Sequence, residues 1–249
     1  MDVATGRVDL PVEALAALAE REQVGQLHLT LRPEPLWLSD EEREEADKRV
    51  DAALAEAGLV DARGRAAVDF LDWLPLLVSP ARECYGWVGT GGQTYGVLAA
   101  AKGLQAVLAV SDGTHVGVQE IDRNRLAESL VEQLPPVGPG GGHPRAVRVA
   151  DLAEAARRGQ AAYPLAPAIA DVVSLVQRPV SGSGELYVGR RDDVGRHTCL
   201  QQPLHYADTD WGRYLSYTSG SGDDAVIHIG PAGPLELAGT LTELAGSLN

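Results

Sequence analysis

Six histidines could supply acid–base or metal chemistry: His28, His115, His143, His197, His205 and His228. None lies three or four residues from another, and none is grouped with cysteine at zinc-ligand spacing, so no local metal site is encoded. The segment RRDDVGRH (190–197) brings Asp192, Asp193 and His197 close together, a set that a carboxylate–imidazole pair could use. Its Asp-Asp-Val-Gly core is first a turn between strands. GTGGQTYG (89–96) is as glycine-rich as a phosphate loop. It lacks the G-x-G-x-x-G spacing, however, and joins two expected strands rather than a strand and a helix. SGSGDD (219–224) is turn chemistry of the same kind. There is no G-x-S-x-G elbow, H-E-x-x-H helix or G-x-x-x-x-G-K-[ST] loop. Catalysis would therefore need side chains converging from distant positions, and no metal or cofactor is expected.

Composition narrows the partners. The 249 residues are 45% hydrophobic and 22% charged, ordinary values for a globular protein with a sizeable core. A formal net charge of −14 argues against nucleic acid or an anionic membrane, since both would repel such a surface. Cys84 and Cys199 belong to no C-x-x-C pattern and are expected as two buried thiols. The first twenty residues carry Asp2, Asp9, Glu13 and Glu20 and no leader-like apolar run. No run of about 18 apolar residues occurs anywhere, so no membrane insertion is expected and the cytoplasm is the expected location.

Two parts of the chain carry the same order of elements. PPVGPGGGHP (135–144) holds four prolines and four glycines, which suits neither a helix nor an inner strand. It is expected to be a linker between residues 1–134 and 145–249 of a single domain. Each part opens with a strand running into a helix (7–18 and 145–158), with Pro11 suited to an opening helical turn. Each continues with an apolar helix ending at proline (70–80 and 168–179) and then a strand (83–88 and 185–190). Pro75 should kink or split the first of these helices. Meanders follow at 94–101, 104–110 and 115–121, and at 197–206, 212–218 and 225–230, with Asp112-Gly113 as a hairpin signal. Leucines 126, 130 and 134 close the first part, and leucines 237, 241, 244 and 248 the second, each as one helical stripe. The pattern implies an internal duplication of two β-α-β(meander)-α units sharing one sheet about a pseudo-two-fold axis. One helix, 38–60, has no counterpart; Ser39 and Glu42 stand at capping-box spacing, and Ala46, Val50, Ala53, Leu54 and Ala57 form its apolar stripe.

The order of LSDEER and its helix, AGLVD, LLVSPARE, a meander and a late GRYL strand resembles the EspG family, cytosolic chaperones associated with type VII (ESX) secretion in actinobacteria. The resemblance runs from about Asp9 to Leu248. It implies an α+β fold with a central, largely antiparallel sheet, quasi-two-fold symmetry and attached helical bundles. It further implies no catalytic activity, no cofactor, and a helical secreted partner, either PE/PPE-like or a small W-x-G-type protein, that is kept soluble until export. The family's contact regions are the loop between the second and third strands and an exposed sheet face. Here that loop is 89–94, which makes Trp87, Gln93, Thr94 and Tyr95 candidate contact residues. On the strand GRYLSYT, Arg213, Leu215 and Tyr217 share one face and Tyr214, Ser216 and Thr218 the other. Neither face is wholly apolar, so Arg213 and Tyr214 join the candidates. An enzyme with dispersed catalytic groups and an unrelated regulatory module are the alternatives, and a homo-oligomer stays open.

Overall fold

The chain opens with β1 (Arg7–Pro11) running into α1 (Val12–Arg21). This computed structural model describes residues 6–248 other than 36, 62 and 159–165. Pro11 ends the strand and caps the helix from just outside, one position earlier than the helical turn expected for it. α2 (Asp40–Glu56) starts at a complete capping box: Ser39 Oγ accepts from Glu42 N at 3.3 Å, and Glu42 Oε2 accepts from Ser39 N at 2.8 Å. Of its expected stripe only Leu54 is fully enclosed, so α2 rests on α1 as an outer layer. The apolar stretch that follows divides at Pro75 into α3 (Val68–Leu71) and α4 (Leu74–Val78). Pro75 has no N–H to give to a continuing helix, but fits the first turn of a new one.

The first meander is β2 (Arg82–Thr90), β3 (Gln93–Lys102), β4 (Gln105–Ser111) and β5 (His115–Glu120), closed by α5 (Leu126–Val131). Then β6 (Arg145–Arg148), α6 (Val149–Arg158), α7 (Pro167–Val176) and β7 (Val180–Arg191) repeat the opening order. The strand expected at 197–206 is two pieces, β8 (His197–Cys199) and β9 (Leu204–Thr209). Pro203 between them offers no N–H to a ladder, which breaks the strand there. β10 (Gly212–Ser219), β11 (Val226–Pro231) and α8 (Pro234–Gly246) complete the described chain.

Among the described residues eleven strands form one sheet, in the order β1-β5-β4-β3-β2-β7-β9-β10-β11-β6, with β8 paired to β7. Every ladder is antiparallel. The order of element types is the same read inward from either edge, with β2 and β7 meeting at the centre. There Tyr85 lies directly opposite Tyr187, and their rings stack at 5.2 Å. On one face α5 and α8 pack together over a core that draws Val97 and Leu108 from one half and Leu186, Leu204 and Leu215 from the other. The second face carries a core under α1–α4, including Leu15, Leu54, Leu74, Leu98 and Val118. In the second half α7 lies over this face more loosely, with Val172 its one fully buried residue.

The proline- and glycine-rich segment 135–144 is not slack. It crosses the start of β10 as a strap, with Arg213 N donating to Gly138 O at 2.8 Å and Gly140 N to Arg213 O at 2.9 Å. Arg213, only 1% exposed, grips Asp208 through Nε and Nη2 at 2.6 and 2.8 Å, and Nη2 also donates to Pro135 O at 2.8 Å. Tyr214 Oη donates to Gly141 O at 2.8 Å. The strap needs glycine where it touches aromatic rings: a Cβ on Gly140 would fall 2.2 Å from the Tyr214 ring, and one on Gly141 2.3 Å from that of Trp211.

Removing one partner of a buried ion pair strands the other charge. Asp208→Ala should lower unfolding free energy by about 3–5 kcal/mol in urea titrations, while the double replacement Asp208→Leu/Arg213→Met should recover most of that loss. A small single-variant effect would show that solvent reaches Arg213.

Candidate partner-binding surface

The two-residue turn Gly91-Gly92 joins β2 to β3, with φ of +58° and +78°. Both angles are in the left-handed region that a tight hairpin turn of this type requires, and glycine reaches it without penalty. Thr90 is opposite Gly182, Val180 opposite Thr209, and Thr209 opposite Gly212. The β2–β3 turn, the start of β7 behind α7, and the β9–β10 turn therefore share one end of the sheet.

At that end the expected contact residues separate into two groups. Gln93 and Thr94 are exposed beside the turn. Trp87 is half-buried on the second face, edge-on to Tyr85 and Tyr187 at 6.3 and 6.2 Å. Tyr95 points to the opposite face, packs on the first core and donates its hydroxyl to Gln133 O at 2.7 Å. Arg213 and Tyr214, also among the expected contact residues, are turned inward and held by the strap. The physical reason is the Asp208 carboxylate directly across the hairpin from Arg213, which satisfies the guanidinium inside.

Three apolar side chains outside the expected set are exposed here: Val176 at 71%, Val180 at 55% and Trp211 at 50%. Arg178 lies over the Trp211 ring at 4.4 Å and pairs with Asp210 at 3.0 Å, so the indole is held in place while one side stays open. Behind it α7, the strap, Trp211 and Tyr214 enclose a recess of about 430 Å³. The signal for Trp211 was its place in an Asp-Trp-Gly turn, where an aromatic ring has little to pack under. Nothing local marked Val176 or Val180, because α7 looks like an ordinary apolar helix until its cover is known. The arrangement offers apolar area around a rigid aromatic side chain, which suits binding a protein surface.

A buried group of titratable side chains lies elsewhere, at the far end of the β2–β7 pairing. Glu83, 2% exposed, receives a hydrogen bond from His197 Nε2 at 2.6 Å, and its other oxygen faces His28 Nε2 at 3.8 Å. His28 Nδ1 accepts from Thr30 N at 3.4 Å, which places the ring proton on Nε2. Burial raises the Glu83 carboxyl pKa while the His197 hydrogen bond pulls it down. The acid–base grouping of Asp192 and Asp193 with His197 is not formed. Asp192 Oδ1 instead accepts from Val194 N and Arg196 N, ordering its own turn. Among the described residues no cluster of three or more His, Cys, Asp or Glu could hold a metal, and no helix is long and apolar enough to cross a membrane. Cys84 and Cys199 are both free, and burial pushes the Cys84 thiol up to about 12.

Burial also keeps His28 neutral, moving its pKa from 6.5 down to about 4. The unfolded chain takes up that proton below about pH 6.5 and the folded chain only near pH 4, so this term removes stability as pH falls through that window. Glu83, raised from 4.5, has the opposite sign: its contribution is full below that value and is lost as pH rises. The loss from His28 should reach roughly 3 kcal/mol by the bottom of the window. His28→Gln should therefore flatten the acid side of a stability–pH curve from urea unfolding, and an unchanged slope would assign that side to other groups.

Comparison with known proteins adds three findings. The model of the EspG family matches residues 11–243. A solved Mycobacterium tuberculosis structure, the type VII secretion system chaperone EspG5 in complex with a PE25–PPE41 dimer, superposes with a TM-score of 0.74. That likeness covers 98% of this chain and 97% of that one at 16% identity, which establishes a common fold. No curated protein matches in sequence.

Proposed function

This chain belongs to the EspG family, and we propose that it is a non-catalytic chaperone that binds a helical substrate of type VII secretion and keeps it soluble for export. The supporting observation is that its fold matches, over nearly the full length of both chains, one solved with a PE–PPE dimer bound. A cytosolic location goes with this reading, as does descent of residues 1–134 and 145–249 from one duplicated unit.

The contact surface we assign is the end of the sheet bearing the β2–β3 turn. Gln93 and Thr94 border it, with the exposed edges of Trp87 and Tyr95 behind them. Val176, Val180 and Trp211 add the apolar area that a helix tip requires. Arg213 and Tyr214 contribute from beneath, by fixing the strap against which Trp211 rests. Burial of Glu83, the carboxylate bonded to His197 and facing His28, weighs against an enzyme reading built on that group.

Co-expression with PE/PPE-like or W-x-G-type helical proteins from the same genome, followed by size-exclusion chromatography, tests the reading. A client that is insoluble alone should co-elute with the protein, and Trp211→Ala or Val180→Asp should weaken that complex by at least about tenfold. Separate elution of every such client from the wild-type protein would remove the chaperone reading. Retention of a complex by both variants would move the contact elsewhere.

A further inference from the structure

The end of the sheet away from Trp211 carries a different chemistry. Arg82 on β2 stands directly across the central seam from Arg190 on β7, and both are exposed. Like charges directly opposite in an antiparallel pair repel each other. Arg123 joins them around a recess of about 230 Å³ whose apolar wall includes Leu126 and Ala245. Among the described residues none of the three arginines forms an ion pair. Their hydrogen bonds go to backbone carbonyls: Arg82 Nη2 donates to Arg123 O at 3.2 Å, and Arg123 Nη1 to Gly103 O at 3.1 Å. Those bonds orient two guanidiniums and neutralise neither.

Glu83 and Glu128 line the same recess, yet Glu83 is buried and bonded to His197, and neither carboxylate pairs with the three guanidiniums, which leaves them open to an external carboxylate. We propose that this recess binds an acidic peptide segment of a protein partner, with a carboxylate taken by Arg82 and Arg190 and a neighbouring aliphatic side chain set against Leu126 and Ala245. The surroundings select that class of ligand. The apolar wall rewards hydrocarbon beside the charge, and Glu83 and Glu128, which also line the recess, favour a single carboxylate over a polyanion. The site lies at the opposite end of the β2–β7 ladder from the surface assigned to the client, so it belongs to a second contact that does not depend on that assignment.

The test uses the intact protein and a synthetic decapeptide of alternating Leu and Gln in which one central Gln is replaced by Glu, with the all Leu–Gln peptide and inorganic phosphate as controls, titrated by calorimetry at low and high salt. The acidic peptide should bind, weaken several-fold with added salt, and lose at least about tenfold in affinity for Arg82→Gln/Arg190→Gln. Arg190→Gln alone should leave the thermal midpoint unchanged or raised, because it relieves a repulsion and removes no side-chain hydrogen bond or ion pair. Equal binding of the two peptides, unchanged affinity in the double variant, or displacement of the peptide by equimolar phosphate would each overturn the proposal. A lowered midpoint for Arg190→Gln would overturn it too, by making the arginine part of the scaffold.

Discussion

Pairing of β2 with β7 is the constraint on which the rest of the molecule depends. Among the described residues it is the one strand ladder joining the two halves, and it runs unbroken from Arg82–Arg190 to Thr90–Gly182. Without it each half would end in an open edge strand and half a core. With it, Val88, Leu186 and Val188 come together under α5 and α8 on one face, while Tyr85, Trp87 and Tyr187 meet on the other. The same ladder sets the two ends of the molecule apart. One end finishes in a glycine turn beside exposed apolar residues, and the other in a buried carboxylate and facing arginines. It also explains why Trp87 is only half available at the surface: one edge of the ring is committed to the seam.

Much of this could be read from local sequence, because the signals were local. Pro75 divides a helix by lacking an N–H, Ser39 and Glu42 start one by reciprocal hydrogen bonds, and Asp112-Gly113 turns a hairpin. The leucine stripes at 126–134 and 237–248 found their common core as the 3.6-residue period requires. What escaped was the consequence of pairing at a distance. The His28–Glu83–His197 group draws on three separated stretches, and no spacing rule joins residues 28, 83 and 197. The inward turn of Arg213 is an intermediate case. A two-residue turn at Asp210-Trp211 places Asp208 opposite Arg213, so its partner was deducible once the hairpin register was drawn. The strand's mixed faces alone leave open which way Arg213 turns.

The second face shows how two halves with like order can differ in use. In the first half four helices bury it. In the second, α7 covers it with little contact, and the described residues contain no equivalent of α2. The helix without a counterpart thus adds cover to one half, while apolar surface stays open on the other. The asymmetry of the halves lies in their cover rather than in the sheet.

The strap over β10 bears on assembly as well as on stability. A chain whose halves present the same strand order to each other has a built-in competitor: the first half of one copy can pair with the second half of another, exchanging partners through the connection. Such exchange requires the connection to open into a hinge. Here the would-be hinge is tied down at Pro135, Gly138, Gly140 and Gly141 by one arginine and one tyrosine. Opening it would strip Arg213 of an acceptor inside the protein before any new pairing formed. The segment richest in residues that allow flexibility is therefore the one that keeps each molecule's two halves with each other.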